Sequence, residues 1–424
     1  MGLTARTAGE AVVVGLRSRL TGSDTSEFQV RAAERYAELL GHSKGALMKA
    51  GQMFSYMSMP VLSCEFQSAY QAMLSRLCDD APPMAPELAR SVLERALGRS
   101  AESAFAQFHW QPLAAASIGQ VHAARLHDGR AVAVKLQYPG ASEAIGADLK
   151  NAELLATFFS LLGCLSPHRL SLDLRGAARE IGVRVTEELD YRLEAANQAE
   201  FADLYRGHPF IHVPEVIEEL SNDRVLTQDL VRGRSFSEAV AAGPQQRDQW
   251  AEAICHFIYS SYRRLATFHG DPHPGNYLFH DDGSVTFLDF GCVKRISRHH
   301  VELLNAIYRA LSRGDVYGLW DACVRAGLWR ASDPVTPEEA FAWLGEDSGV
   351  LWSTDRFTVT PAFAKRWLER KYSPTGPFAN ALRHLTMPPE YAMIGKAEIG
   401  MVALMAQLRA TSSWGTIAAE HFEN

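Results

Sequence analysis

An α+β protein of two lobes with an N-terminal helical extension is the fold class this sequence predicts. Three observations carry that expectation. Alternating apolar and polar residues are confined to short stretches in the middle of the chain. The clearest is SIGQVHAARLHDGRAVAVKLQYP, which reads as a β-hairpin about an Asp128-Gly129 turn. Long helical patterns lie before and after these stretches. The length of 424 residues, 47% of them hydrophobic, suffices for a sizeable core and favours two or three domains over one.

The elements follow in order. Residues 1–108 form the extension, with helical patterns from Glu27 to Ser58 and from Glu65 to Leu77. In DDAPPMAPELARSVLERAL, Pro82, Pro83 and Pro86 interrupt the pattern, and Pro86 suits the first position of the next helix. Residues 109–230 hold the small lobe: the hairpin, helical patterns from Ala144 to Leu165 and from Leu174 to Leu204, then a strand pair at VPEVIEEL and DRVLTQDLV. The chain passes to the next lobe near Gln228 to Arg232. Residues 231–424 form the large lobe. It opens with a long helix from Gln245 to Phe268, followed by short strands NYLFH and VTFLDF about Asp281-Asp282-Gly283. After Ser297 the pattern is helical, punctuated by SPTGPF and MPPE.

Composition excludes several classes. The net charge of −7 argues against wholesale nucleic-acid binding, which usually shows as a basic stripe. Cys64, Cys78, Cys164, Cys255, Cys292 and Cys323 lie far apart with no C-x-x-C pair. That speaks against a disulfide framework or structural zinc and fits a reducing, cytoplasmic compartment. No stretch approaches the roughly 20 apolar residues of a membrane-spanning helix. The N-terminal apolar run is too short for a secretory signal. Arg6, Arg17 and Arg19 around Val12, Val13, Val14 and Leu16 leave two readings open: a packed terminal helix, or one lying on a membrane surface.

The chemistry sits in two places. Residues Ala114 to Val121 have the layout of a glycine-rich nucleotide loop, with Ala114, Ala115, Ala116 and Ser117 leading to Gly119 and Val121. Small residues let backbone N–H groups approach phosphates, although an alanine-rich strand entry would look the same. A strand and turn later comes VAVK, which puts Lys135 where it could reach α- and β-phosphates. Downstream, Asp271 and Asn276 are spaced as in the kinase catalytic loop D-x-x-x-x-N, and Asp289-Phe290-Gly291 is a D-F-G tripeptide. Such an aspartate orients or deprotonates the attacking group, while the asparagine and the D-F-G carboxylate hold Mg2+. His269 and His273 are four apart, but Pro272 and Pro274 prevent the helix a two-histidine zinc site would use.

Taken together the motifs resemble those of the UbiB/AarF family of atypical kinases, within the protein-kinase-like superfamily. KAGQ (Lys49 to Gln52) matches its K-x-G-Q signature, and EELDYRLEAAN contains its E-x-D motif as Glu188-Leu189-Asp190. PLAAASIGQVHAARLHDGRAVAVKLQYPG, GDPHPGN and LDFG match its loop, lysine strand and catalytic segments. MPPEYAMIGKAEIG resembles its C-terminal helix, with Lys396 where arginine is usual. The family's HAD is HGD here.

The resemblance implies a bilobal protein-kinase-like fold binding ATP and Mg2+. Asp229 and Val231 would lie at the nucleotide, and Glu194 would pair with Lys135. The residues alone leave rivals, since Glu187, Asp190 and Glu194 share one helical face. The resemblance also implies that Lys49 and Gln52 approach the nucleotide or the Glu188 and Asp190 carboxylates from a helix covering the site. Such a cover favours ATP hydrolysis or a small, lipid-like acceptor in isoprenoid-quinone or lipid metabolism. The partners expected are therefore the nucleotide, a lipid or quinone precursor and a membrane touched peripherally on its cytoplasmic face. Two alternatives stay open: a protein kinase, and a nucleotide-binding regulator without turnover.

Overall fold

The computed structural model describes residues 84–116, 118–139, 190–345, 353–373, 375–386 and 388–422. Lys49, Gln52, Ser117 and Glu188 lie outside the described residues, as do the helices expected before residue 84 and from Ala144 to Leu165, and the part before Asp190 of the helix expected from Leu174 to Leu204. Asp190 itself is not helical and the helix starts at Tyr191, so Asp190 does not share a helical face with Glu194. The chain divides into two compact units. One runs to Leu193 and includes Ile217–Asp229, and the other holds Glu194–Val216 and everything from Leu230.

Among the described residues the first unit begins with α1 (Pro86–Leu97), which has proline in its first turn and ends at Gly98, whose N–H bonds to Glu94 O. That arrangement follows from proline's fixed φ at a helix start and glycine's access to the left-handed region at its end. α2 (Ala101–Ala104) is capped by the Ser100 side chain, which accepts from Ser103 N. β1 (Gln107–Phe108), β2 (Ala114–Ala116), β3 (Gly119–Arg125) and β4 (Ala131–Gln137) follow. α3 (Tyr191–Tyr205) belongs to this unit only through Leu193. After β5 (Ile211–His212) the chain supplies β6 (Val225–Asp229).

The antiparallel sheet runs β1-β3-β4-β6, with β2 paired to β3. One face of it is apolar: Ala124, Val132, Val134, Leu136 and Val225 pack with Ala89 and Leu93 of α1 and with Phe105. Because strand side chains alternate, Val121, Ala123 and Lys135 point the other way. The strand expected at VPEVIEEL does not form. Pro214 interrupts it, Val216 makes an isolated bridge, Ile217 N donates to Thr227 O at 2.8 Å, and Glu218–Leu220 is a 3-10 turn.

The second unit contains α4 (Phe236–Val240), opened by a Ser235/Glu238 capping box, and α5 (Pro244–Leu265). Next come β7 (Thr267–His269), β8 (Tyr277–Phe279), β9 (Val285–Phe287) and β10 (Val293–Arg295), then α6 (Arg298–Arg313), α7 (Val316–Arg325) and α8 (Pro337–Gly345). β11 (Phe357–Thr358), α9 (Pro361–Tyr372), α10 (Ala379–His384), α11 (Pro389–Leu408), β12 (Thr411–Ser412) and α12 (Trp414–Phe422) complete it.

Two expectations need correction here. The helix expected to reach Phe268 stops at Leu265, with Ala266 left-handed at φ 52°, because Thr267 and Phe268 pair with Arg295 and Lys294. Nor is everything after Ser297 helical, since Phe357–Thr358 pairs with Thr411–Ser412. α5 is the unit's central rod: Trp250, Ile254, Phe257 and Ile258 are buried, and the Trp250 indole N–H donates to His280 O at 2.9 Å. Phe257 stacks on Phe287 of β9, with centroids 3.7 Å apart. This packing fixes the strands from which the acidic segments project. Among the described residues no helix is long and apolar enough to cross a membrane.

Candidate active site

In the second unit β7 and β10 deliver the two acidic segments side by side, for Gly270 N donates to Cys292 O at 2.7 Å. Beyond Gly270, Pro272 and Pro274 allow only a single 3-10 turn, Pro274–Asn276. His273 caps that turn, its Nδ1 accepting from Gly275 N at 3.1 Å. Asn276, almost buried, turns back to Asp271. Its Nδ2 donates to the Asp271 carboxylate at 2.9 Å and to the Asp271 carbonyl at 3.1 Å. With Nδ2 so engaged, Oδ1 is the atom left to meet a cation. Burial pushes the Tyr277 phenol up, and the nearby Asp271 carboxylate adds to that.

Leu288 N donates to Asn276 O at 2.9 Å, so the D-F-G tripeptide starts one residue beyond a fixed point. Asp289 is left-handed at φ 58°, a conformation that costs a non-glycine residue about 1 kcal/mol or more and clusters at functional sites. Short polar side chains tolerate it best, and here Asp289 Oδ1 accepts from Gly291 N at 3.2 Å. His269 Nε2 bonds the Asp289 carbonyl at 2.7 Å, and Asn197 Nδ2 donates to the Phe290 carbonyl at 3.1 Å. The Phe290 ring is fully buried, 5.0 Å from Phe201 and 5.4 Å from His269 between centroids.

Glu194, only 5% exposed, comes to the same place. A Cβ built on Gly291 would lie 3.2 Å from Asp289 Oδ1 and 3.7 Å from Glu194 Oε2. Two carboxylates thus approach one backbone position. A buried carboxylate near another needs positive charge to stay ionised. The oxygen donors of Asp289 and Asn276 fit Mg2+, which takes hard oxygen ligands and needs only one or two from protein when phosphates and water supply the rest.

The first unit places the remaining residues, apart from Val231, which belongs to the second. Lys135 on β4 stands opposite Val121 on β3, on the face turned away from the unit's apolar core. Its Nζ lies 5.0 Å from the centre of the buried Tyr191 ring, a cation–π approach. Ala114, Ala115 and Ala116 are strand residues paired with Val121, Gln120 and Gly119. Gly119 does not have a positive φ, so its need for glycine is one of space. A Cβ there would overlap Leu136 O and lie 3.0 Å from Tyr191 Oη. Asp229 ends β6 opposite Val132, and Val231 is half-buried two residues on. Asp190 is exposed, and its Oδ1 accepts from Arg192 N at the start of α3.

Sequence reasoning missed Tyr191, Asn197, His269 as a carbonyl partner, Arg295 and Gly400. Asn197 carried a local signal, a polar residue three beyond Glu194 on a helix, but nothing in the sequence points from it to Phe290. Gly400 on α11 abuts the turn after Asp271: a Cβ there would lie 2.6 Å from Cβ of Pro272 and closer still to its Cγ.

Comparisons with known proteins agree with the family resemblance. A family model described as the ABC1 atypical kinase-like domain matches residues 76–321, more than half the chain. The chain is 29% identical over its whole length to atypical kinase coq-8, mitochondrial, of Caenorhabditis elegans, covering 55% of that protein. It is 32% identical over 75% of its length to the Arabidopsis thaliana chloroplastic protein ACTIVITY OF BC1 COMPLEX KINASE 1, covering 46% of it. It is also 33% identical over 70% of its length to the Synechocystis protein sll0005, covering 42% of it. The chain therefore spans about half the length of these curated relatives. Among solved structures, Mycobacterium tuberculosis Rv3197, in a complex with erythromycin, is similar with a TM-score of 0.67 and 31% identity, over 94% of this chain and 97% of that one.

Proposed function

Because this chain belongs to the ABC1 atypical kinase-like family, we propose that it binds Mg-ATP and hydrolyses it or transfers its γ-phosphoryl group to a small or lipid-like acceptor. The observation that carries this reading is the Asp271–Asn276–Asp289 arrangement. One amide holds the Asp271 carboxylate, and the backbone of the same asparagine holds the strand leading to Asp289.

Each residue then has a part. Asp271 orients the attacking hydroxyl or water and takes up its proton. Asn276 fixes Asp271 through Nδ2 and offers Oδ1 to the metal. Asp289 offers a carboxylate from its left-handed turn. Mg2+ bound there would neutralise charge building on the phosphate oxygens. Lys135 is assigned to the α- and β-phosphates and to a pair with Glu194. Ala114 to Val121 would lie along the phosphates, and Asp229 and Val231 beside the base. Lys49, Gln52, Glu188 and Asp190 are assigned to a cover that restricts the acceptor. A role in isoprenoid-quinone or lipid metabolism, with peripheral contact to a membrane, extends the reading by the family resemblance of its motifs.

The test is phosphate release from ATP by the full chain with Mg2+, with and without lipid vesicles and quinone-precursor-like phenols. Parent turnover that disappears in Asp289→Asn, with the variant folded, supports the reading. Equal Mg-ATP affinity in parent and Asp289→Asn overturns it. Phosphotransfer to a protein acceptor without stimulation by phenol or lipid would favour a protein kinase.

A further inference from the structure

Two successive carbonyls of the D-F-G tripeptide are each held by a side chain, His269 on Asp289 O and Asn197 on Phe290 O. The second bond depends on a third residue. Arg295 Nη1 donates to Asn197 Oδ1 at 2.8 Å, and its Nη2 donates to Glu200. A guanidinium has donors and no acceptor, so the Asn197 amide must present its oxygen to Arg295. Its NH2 group is thereby turned to Phe290 O. Asn197 is 2% exposed, so water cannot readily replace a donor lost there. The chain held in this way includes Asp289, whose left-handed φ needs surrounding structure to persist.

We propose that Asn197, its amide oriented by Arg295, is a positioning residue that holds Asp289 in the conformation in which its carboxylate serves Mg2+. This inference rests on the Mg-ATP reading. Asn197 lies one turn beyond Glu194 on α3, so the same clamp ties the metal-binding turn to the helix bearing Glu194. Arg295, half-exposed and touching no reacting group, acts only through Asn197 and Glu200.

The experiment uses the full chain as parent, Asn197→Asp, Arg295→Gln and Arg295→Lys. Asn197→Asp keeps the shape and can accept from Arg295, but it has no N–H for Phe290 O. Arg295→Gln presents an amide that can donate or accept, so Asn197 is free to flip. Arg295→Lys remains donor-only and preserves the orientation. In metal-free protein, amide exchange over residues 286–292 should quicken in Asn197→Asp and Arg295→Gln and stay near the parent's in Arg295→Lys.

In the same order, the Mg2+ concentration that half-saturates ATP binding should rise about tenfold for Asn197→Asp, the loss of one buried hydrogen bond. It should rise less for Arg295→Gln and be restored by Arg295→Lys, with nucleotide affinity in EDTA unchanged throughout. Parent-like exchange and Mg2+ dependence in both Asn197→Asp and Arg295→Gln would overturn the inference. So would equal losses in Arg295→Gln and Arg295→Lys. Should Asn197→Asp fail to fold, the two Arg295 variants decide. A parent that binds no Mg-ATP brings down the underlying reading instead, and the exchange data then judge the clamp alone.

Discussion

Asn276 reaches back to Asp271 with a single amide group, 2.9 Å from its carboxylate and 3.1 Å from its carbonyl. The relationship joins the residue assigned to the acceptor's proton to one assigned to the metal. Loss of the carboxylate and loss of its holder should therefore differ. Asp271→Asn should lower turnover by about a hundredfold or more, the usual worth of a positioned acid–base group, with ADP binding in EDTA intact. Asn276→Asp removes the donor and sets two carboxylates together, so turnover should fall and the Mg2+ requirement should change as well. Steady-state turnover across a Mg2+ titration separates the two. A similar Mg2+ dependence in both variants would deny Asn276 a metal role.

A second prediction concerns the helix beneath that turn. Alanine in place of Gly400 would ordinarily favour a helix by about 0.5–1 kcal/mol. Here its Cβ would lie 2.6 Å from Cβ of Pro272, next to Asp271, and overpacking of this kind costs about 1–3 kcal/mol. Gly400→Ala should therefore slow turnover more than it weakens ATP binding, by shifting Asp271. Combining it with Pro272→Ala should recover part of the loss, because the added methyl then meets a smaller partner. Two losses that simply add would show that Gly400 and Pro272 are not coupled.

Gly119 supplies a contrast within the lysine-bearing sheet. A side chain there would overlap the Leu136 carbonyl of the neighbouring strand, which cannot move without breaking the β3–β4 ladder. Gly119→Ala should destabilise the protein by about 2 kcal/mol or more, read as a lowered denaturant midpoint. Ala114→Gly and Ala116→Gly, on the short outer strand, should leave stability nearly unchanged and alter nucleotide affinity instead. Parent-like stability in Gly119→Ala would mean that the two strands separate more easily than their register implies.

What the sequence could and could not reveal follows from the range of each interaction. The hairpins about Asp128-Gly129 and Asp281-Asp282-Gly283 were legible because turn chemistry and alternation are local. The hydrogen-bonded pairing of Asp271 with Asn276, and of Asn276 with the strand before Asp289, was legible because the turn and hairpin that carry these residues fix their spacing. Thr267 and Phe268 read as the end of a helix because only pairing with Arg295 and Lys294 makes them part of a strand. VPEVIEEL has the apolar pattern of a strand, but Pro214 and a 3-10 turn at Glu218–Leu220 leave it little to pair with. Asn197 carried only its place three residues beyond Glu194, and Arg295 and Gly400 carried no local pattern, because the contacts of all three are with neighbours distant in the chain.

The last prediction is of pH dependence, and it arises where α5 meets α12. His256 Nδ1 and His421 Nε2 are 3.0 Å apart, so one neutral ring donates to the other. Burial pushes both imidazoles down. His421 falls to about 4, with the charges of His256, Arg263, Arg264 and His208 adding to the effect, while Glu420 and Glu252 partly oppose it for His256. A histidine whose folded pKa is depressed binds fewer protons folded than unfolded in acid, so stability rises with pH. The contribution is present above the ordinary value near 6.5 and is lost as pH falls towards about 4. A second proton on the pair would also set two N–H groups against each other. Melting temperatures at constant ionic strength should therefore drop between pH 7 and pH 4.5 more steeply in the parent than in His421→Gln. The glutamine keeps a polar partner for His256 without titrating. Parallel pH profiles for the two proteins would show that the pair does not couple protonation to the docking of α12.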